Sequence, residues 1–499
     1  MTVSRLVMMR MKDMNDGSES HPTAGLNRRD FLNENALGIG MVALASLLGD
    51  EKLLAIPKNV KLQPEVFNLQ PKTTHFAPRA KAMISLFQHG GPAHMDLTDP
   101  KPELSKLDGM TYQGDVGYSF IKRASKRLKG SLWKFKPHGQ CGTEISELLP
   151  ELASIVDDIC LIRSMHTGFN GHEVSIRFMN AGIAGITGRP SLGSWLTYGL
   201  GSASQDLPAY MVLPHPDGPP VDNVHNWSNG WMPSLFQGTV LRPKEPRILN
   251  LTPPEHLRGA VQDHNLSFLE QLNRKHLKRH PGEHDLEARI ASYELAARMQ
   301  EAASEALDIS QETAATHQLY GLDQDATREY GTRCLIARRL VERGVRFVQL
   351  FHASQPWDNH SNIRESLPSI CRKTDKPAAA LVKDLRQRGM LDEVLVHWGG
   401  EIGRLPVTEG DPASGGRDHN GQGFSTWLAG GGIRGGMTYG KTDEVGHRAV
   451  ENIVKPNDYQ ATVLHLFGMD HQQLYYLHNG QEQKLVVSSE ARVVEDILA

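Results

Sequence analysis

Three short apolar runs constrain this chain more than anything else in it. "AMISLF" stops at Gln88 before His-Gly-Gly-Pro, "VRFVQLF" stops at His352, and "VLVHW" stops at Gly399 and Gly400 with Glu401 close behind. Each run is short, and its apolar character is too continuous for a strand with one wet face. Each therefore reads as a strand buried on both sides. Stretches with helical spacing, "KPAAALVKDLRQRG" and "NDYQATVLHLFGMD", follow in the same half of the chain, and "ICLIRSM" and "PAYMVLP" add two strand candidates. Short strands alternating with helices predict an α/β fold with a mostly parallel central sheet. Ligands of such sheets bind at the carboxyl ends of the strands, so those ends are where function is sought.

The remainder of the chain divides by texture. Residues 1–50 carry Arg28-Arg29 ahead of Phe31-Leu32 and an apolar run from Ala36 to Leu48, the pattern of a twin-arginine export signal. The chain is thus expected to be exported to the periplasm or cell envelope. Ala43-Leu44-Ala45 has small residues at cleavage offsets but lies inside the apolar run, which leaves both a cleaved leader and an uncleaved anchor open. No later run approaches the length of a membrane span. Residues 51–79 are polar and proline-bearing, a linker, and the main domain is expected over 80–490. Within it, about 255–325 is rich in Ala, Leu, Glu and Arg at helical spacing and reads as a helical insertion. The formal net charge of -3 gives no basic excess, so no nucleic-acid partner is expected. The four cysteines make no C-x-x-C pair, which argues against a zinc knuckle and leaves disulfides and buried thiols both open.

Carboxylates and imidazoles gather at the strand ends. The first end supplies His89, His94, Asp96 and Asp99, and the second His352, Asp358 and His360. The third supplies Glu401, and a glycine-flanked loop supplies Asp418 and His419. Oxygen and imidazole donors together suit Zn or Mn, or Mg and Ca where carboxylates dominate, so a shared divalent-metal site is expected. "RSMHTGFNGHEV" adds Ser164, Thr167 and His172. Its hydroxyls are either nucleophiles activated by a metal or helix caps. Arg404 and Arg417, beside the proposed ligands, are candidates for gripping substrate oxyanions.

Taken together, the leader, "HGGPAHMDLTDPKPEL", "GRPSLGSWLTYGLG", "WDNHSN", "WGGEIGRLP" and "GRDHNGQGFSTWLAGGGIRGG" resemble the sulfatase-like bacterial family known as domain of unknown function 1501. The resemblance covers nearly everything after Ala80. It implies an alkaline phosphatase-like α/β sandwich with metals held by Asp and His at strand ends. On this sequence it implies Asp96, Asp358, His360, Glu401, Asp418 and His419 as ligands. Ser164 or Thr167, with Arg404, would take catalytic roles, and Arg417 and His172 would bind substrate. The sequence departs from the superfamily pattern at Ile402, where a histidine usually follows the carboxylate, and it lacks the C/S-x-P-x-R setting of a sulfatase nucleophile. The implied activity is hydrolysis of phosphate or sulfate esters of a small molecule or glycan. The alternative is a non-catalytic protein on the same fold that recognises an anionic glycan or a cell-envelope partner.

Overall fold

The computed structural model describes residues 68–499 apart from 115, 117–123, 250, 252–253, 281–282 and 412–413. The twin-arginine segment and the linker as far as residue 67 lie outside the described residues. The first apolar run forms β1 (Ala82–Phe87), buried along its whole length. It pairs in parallel with β6 (Phe347–Phe351) on one side and β7 (Val394–Gly399) on the other. Outward from β6 lie β4 (Tyr210–Leu213) and β5 (Thr239–Val240), both parallel. Outward from β7 lie β10 (Phe424–Ala429), β3 (Ile159–Met165) and β11 (Met437–Tyr439). The order is β11-β3-β10-β7-β1-β6-β4-β5, and β10 alone runs against the rest. This is the mostly parallel α/β sheet expected from the sequence.

Alternation along β1 shows why the run had to be continuously apolar. Ala82, Ile84 and Leu86 enter one core with Leu335, Ala337 and Leu340 of α5 (Asp325–Glu342) and Leu381 and Leu385 of α6 (Ile363–Gln387). Met83 and Phe87 enter a second core with Met179 of α1 (His172–Ala181), Trp195 of α2 (Leu192–Leu200) and Leu464 of α7 (Pro456–Leu466). Both faces of the sheet are thus covered, which is what a parallel sheet requires.

α6 differs from the sequence expectation, which placed a helix only from "KPAAALV" onward. It begins thirteen residues earlier than Lys376, at Ile363, and runs through Pro368 and Pro377. Each internal proline costs about 3 kcal/mol of helix stability. Burial of Leu367, Ile370, Leu381, Val382 and Leu385 on one face outweighs this, since each such side chain contributes about 1.5–3 kcal/mol. Between β5 and β6 the chain runs through α3 (Ala260–Arg279) and α4 (His284–Leu307). All four cysteines are free thiols, three of them buried. Among the described residues no helix is long and apolar enough to cross a membrane.

After β7 the chain leaves the large sheet and forms β8 (Gly403–Glu409) and β9 (Arg417–Asn420). These pair antiparallel, with β2 (Ala124–Leu128) on the far side of β8. The register sets Arg404 opposite His419. This small sheet brings β9, with Asp418 and His419, to the residues that follow β6 and β7.

Candidate functional site

Four segments meet at that edge. His172 is the first residue of α1, and the loop before it is held by Gly421, whose N–H reaches Asn170 Oδ1 at 2.7 Å and whose carbonyl accepts from Thr167 N at 3.0 Å. Asp358 and His360 lie in the loop after β6, which is tied to β9 by Arg417 N donating to Asn359 O at 2.9 Å. Glu401 follows β7, and His419 comes from β9. Gly90, in the turn after β1, has φ of +106°, and a Cβ there would sit 2.5 Å from Asp358 N. The close approach of the two loops therefore needs a glycine.

The geometry is centred on three imidazole Nε2 atoms and one carboxylate. His419 Nε2 lies 2.8 Å from His172 Nε2 and 2.9 Å from His360 Nε2. Asp358 Oδ1 is 2.8 Å from His360 Nε2 and 3.1 Å from His419 Nε2, and Asp358 Oδ2 is 3.5 Å from His172 Nε2. A carboxylate oxygen of Asp418 joins His360 and His419 in a second grouping within 4.8 Å. Two of the imidazoles are backed by carboxylates. His172 Nδ1 lies 2.6 Å from Glu401 Oε1, and His360 Nδ1 bonds Glu409 Oε2. Glu401 Oε1 also accepts from Gly90 N at 3.0 Å, while its Oε2, fully buried, has no hydrogen-bond partner among the described residues.

This arrangement tests whether a cation fits. A neutral imidazole that donates Nδ1–H to a carboxylate must present a lone pair at Nε2. His172 and His360 then aim lone pairs at His419 across less than 3 Å, and a neutral His419 has one Nε2–H at most, so one of the two contacts is left without a proton. A proton or a divalent ion would satisfy the set. Imidazole nitrogens with one or two carboxylates, each imidazole fixed from behind, are the donors and supporting layer of a zinc- or manganese-type site.

The charges follow. Burial opposes protonation of His172, but hydrogen bonds to Asp358 and Glu401 outweigh it and raise its pKa to about 9. Burial likewise opposes the charge on His360, and Asp358 and Glu409 override it upward. His419, with burial dominant, is pushed down. Burial would raise Asp358, yet the three imidazoles and Arg404 hold it far below the carboxylate range. Glu401 is lowered despite full burial, mainly by His172. His172 therefore contributes stability that is fully present below its unfolded value near 6.5 and is lost as pH rises through about 9. Thermal melts of chelator-treated protein should show falling Tm across that window, and His172→Gln should flatten the fall.

Several sequence expectations are corrected. Asp96 does not reach the cluster: its carboxylate takes Arg417 Nε at 2.7 Å and Nη2 at 3.1 Å, with both residues buried. Arg417, expected to bind substrate, thus has Nε and Nη2 engaged by Asp96. Arg404 is fully buried and braces the site, donating to Gly90 O, Gly91 O and Arg417 O and reaching Asp358 Oδ1 at 2.5 Å. Ser164 Oγ donates to Asn452 O at 2.6 Å, and Thr167 Oγ1 to Phe169 O at 3.2 Å. Neither hydroxyl is hydrogen-bonded to a member of the cluster. Glu401 stands behind His172, and His172 itself, expected to bind substrate, contributes a nitrogen to the centre. Of the other strand-end histidines, His94 bonds Gly446 O and His352 bonds Gln88 Oε1. Glu409 was missed, and nothing in "PVTEGD" marks it: a glutamate at the end of a strand has no local signature.

A mostly parallel sheet with imidazoles and carboxylates converging beyond its carboxyl edge defines an α/β protein with a candidate metal centre. Residues 80–498 match the family described as "Protein of unknown function (DUF1501)", and the chain belongs to that family. No curated protein matches it. Among solved structures it is similar to the PsFucS1 sulfatase from Pseudoalteromonas sp. at 12% identity and TM-score 0.36, over 78% of this chain and 68% of that one. It is also similar to the phosphonate monoester hydrolase SpPMH from Silicibacter pomeroyi at 10% identity and TM-score 0.33, over 70% and 71%. A third similarity is to the lipoteichoic acid synthase LtaP from Listeria monocytogenes at 9% identity and TM-score 0.33, over 84% and 78%.

Proposed function

We propose that this protein is an exported, divalent-metal-dependent hydrolase of phosphate or sulfate esters. The observation that carries the reading is the convergence of three Nε2 atoms on Asp358, with carboxylates behind two of the rings. His172, His360, His419 and Asp358 would hold the ion, with Asp418 beside them. Three nitrogens favour Zn or Mn over Ca or Mg, which prefer all-oxygen shells. A divalent ion there supplies a Lewis acid for an ester oxygen and lowers the pKa of a bound water. The chain's own contribution is orientation and charge. Glu401 and Glu409 hold His172 and His360 in one tautomer, and Arg404 fixes Asp358 against the turn after β1. His360, the most exposed of the four, marks the side from which an ester would approach. The export route rests on Arg28-Arg29 and the apolar run behind them.

The direct test is elemental analysis of protein purified without an affinity tag, together with assays on aryl phosphates and aryl sulfates. About one Zn or Mn per chain and chelator-sensitive turnover are expected. Absence of both metal and turnover would sink the proposal. Glu401→Gln keeps the shape of the side chain but weakens the acceptor for His172 Nδ1, so metal affinity should fall by about 10–100-fold, measured by competition with a chromophoric chelator. One observation favours a second reading, a binding protein for anionic glycans: the hydroxyls of Ser164 and Thr167 are engaged by backbone carbonyls. Metal binding with saturable glycan binding, and no turnover of any ester, would select it.

A further inference from the structure

We infer that α3 is a docking surface for an anionic lipid bilayer. A helix on a globular domain ordinarily turns its apolar stripe inward. In α3 a second apolar stripe faces outward. The positions partly covered where α3 packs on α4 are Gln262, Leu266, Glu270, Asn273 and Leu277, and no residue of the helix is fully buried. The opposite face carries Val261, Phe268 and Leu272, exposed by 48%, 61% and 46%. The same stripe continues toward the carboxyl end as Lys275 and Arg279, both exposed and without an ion pair among the described residues. The acidic Glu270 lies on the packed side, where it pairs with Arg274.

Helical periodicity places positions 261, 268, 272, 275 and 279 on one line, so apolar and cationic groups share a single outward face. An interfacial helix has this composition: its apolar residues enter the acyl boundary and its cations meet lipid phosphates. Charge decides between occupants. In a two-fold antiparallel pairing with a second copy, Lys275 and Arg279 would lie against the apolar end of the other stripe and meet no anion there, whereas an anionic bilayer complements both parts of the face. Leu269, exposed by 52%, widens the apolar strip beside it. Docking of this kind would hold the domain at a membrane surface independently of the leader and of the chemistry at the metal centre.

The test compares the full chain with Phe268→Asp/Leu272→Asp and with Lys275→Glu/Arg279→Glu. Co-sedimentation is measured on phosphatidylcholine vesicles with and without phosphatidylglycerol. Every substituted residue is solvent-exposed, so circular dichroism should be unchanged. Wild type should partition onto the phosphatidylglycerol vesicles, the first variant should lose about tenfold or more, and the second should lose the preference for anionic lipid and its salt sensitivity. Equal partition of all three proteins would overturn the inference by assigning any binding to another segment. So would a vesicle-free dimer in sedimentation velocity that Phe268→Asp/Leu272→Asp dissociates, because the stripe would then be a protein interface.

Discussion

Replacing His419 with alanine should abolish the bound ion and lower kcat/KM for an ester substrate by about 10³-fold. His419 Nε2 stands within 2.9 Å of both other imidazole nitrogens and 3.1 Å from Asp358, so of the three imidazoles it is the one that touches every other member of the set. A Lewis acid contributes several kcal/mol of transition-state stabilisation, and about 4 kcal/mol corresponds to that factor. Metal content measured on the gel-filtered peak that elutes with wild type separates this from unfolding, because the folded fraction alone is counted. Retention of stoichiometric metal by folded His419→Ala would show that the imidazoles cluster for another reason.

The second large effect concerns stability. Asp96→Ala should destabilise the protein by about 3–5 kcal/mol, because it leaves the guanidinium of Arg417 buried with its charge uncompensated. Asp96 is 1% exposed and Arg417 0%, so water cannot stand in for the lost carboxylate. Urea titration gives the change. The double substitution Asp96→Leu/Arg417→Met should recover most of it, since removing both charges of a buried pair is far less costly than removing one. Metal content distinguishes the pair from a ligand role: folded Asp96→Ala should bind as much metal as wild type. Loss of metal at unchanged stability would return Asp96 to the coordination sphere.

Glu401 illustrates how far the sequence carries a site and where it stops. Its place past a buried strand and two glycines made a functional carboxylate legible. Its length decides the rest, since Oε1 reaches both His172 Nδ1 and Gly90 N and so supports an imidazole of another segment. That imidazole is 229 residues away in the chain. Glu409 shows the opposite case. Its carboxylate meets His360 Nδ1 as that of Glu401 meets His172 Nδ1, yet no spacing or composition distinguishes it from a solvated strand end. Asp96 and Arg417 show a third. Both carry the right chemistry beside proposed ligands, but two opposite charges brought into one dry space satisfy each other before they satisfy a ligand.

Local chemistry, readable in one dimension, determined the strands, their burial on two faces and the edge at which polar groups would collect. Short apolar runs without alternation suit strands that are covered on both faces, as in a parallel sheet between two layers of helices. Asp358, His360, His419 and Glu401 follow from that edge, because they stand directly beyond its strands or in the glycine-flanked strand β9 that returns to it. Tertiary structure alone decided which of these groups face one another. The pairing of β8 with β9 sets Arg404 across from His419, the first turn of α1 delivers His172, and α6 overrides two prolines to cover the sheet. Such choices depend on contacts between residues tens to hundreds of positions apart, where distance and dielectric, rather than residue type, determine whether a charge becomes a ligand, a brace or half of an ion pair.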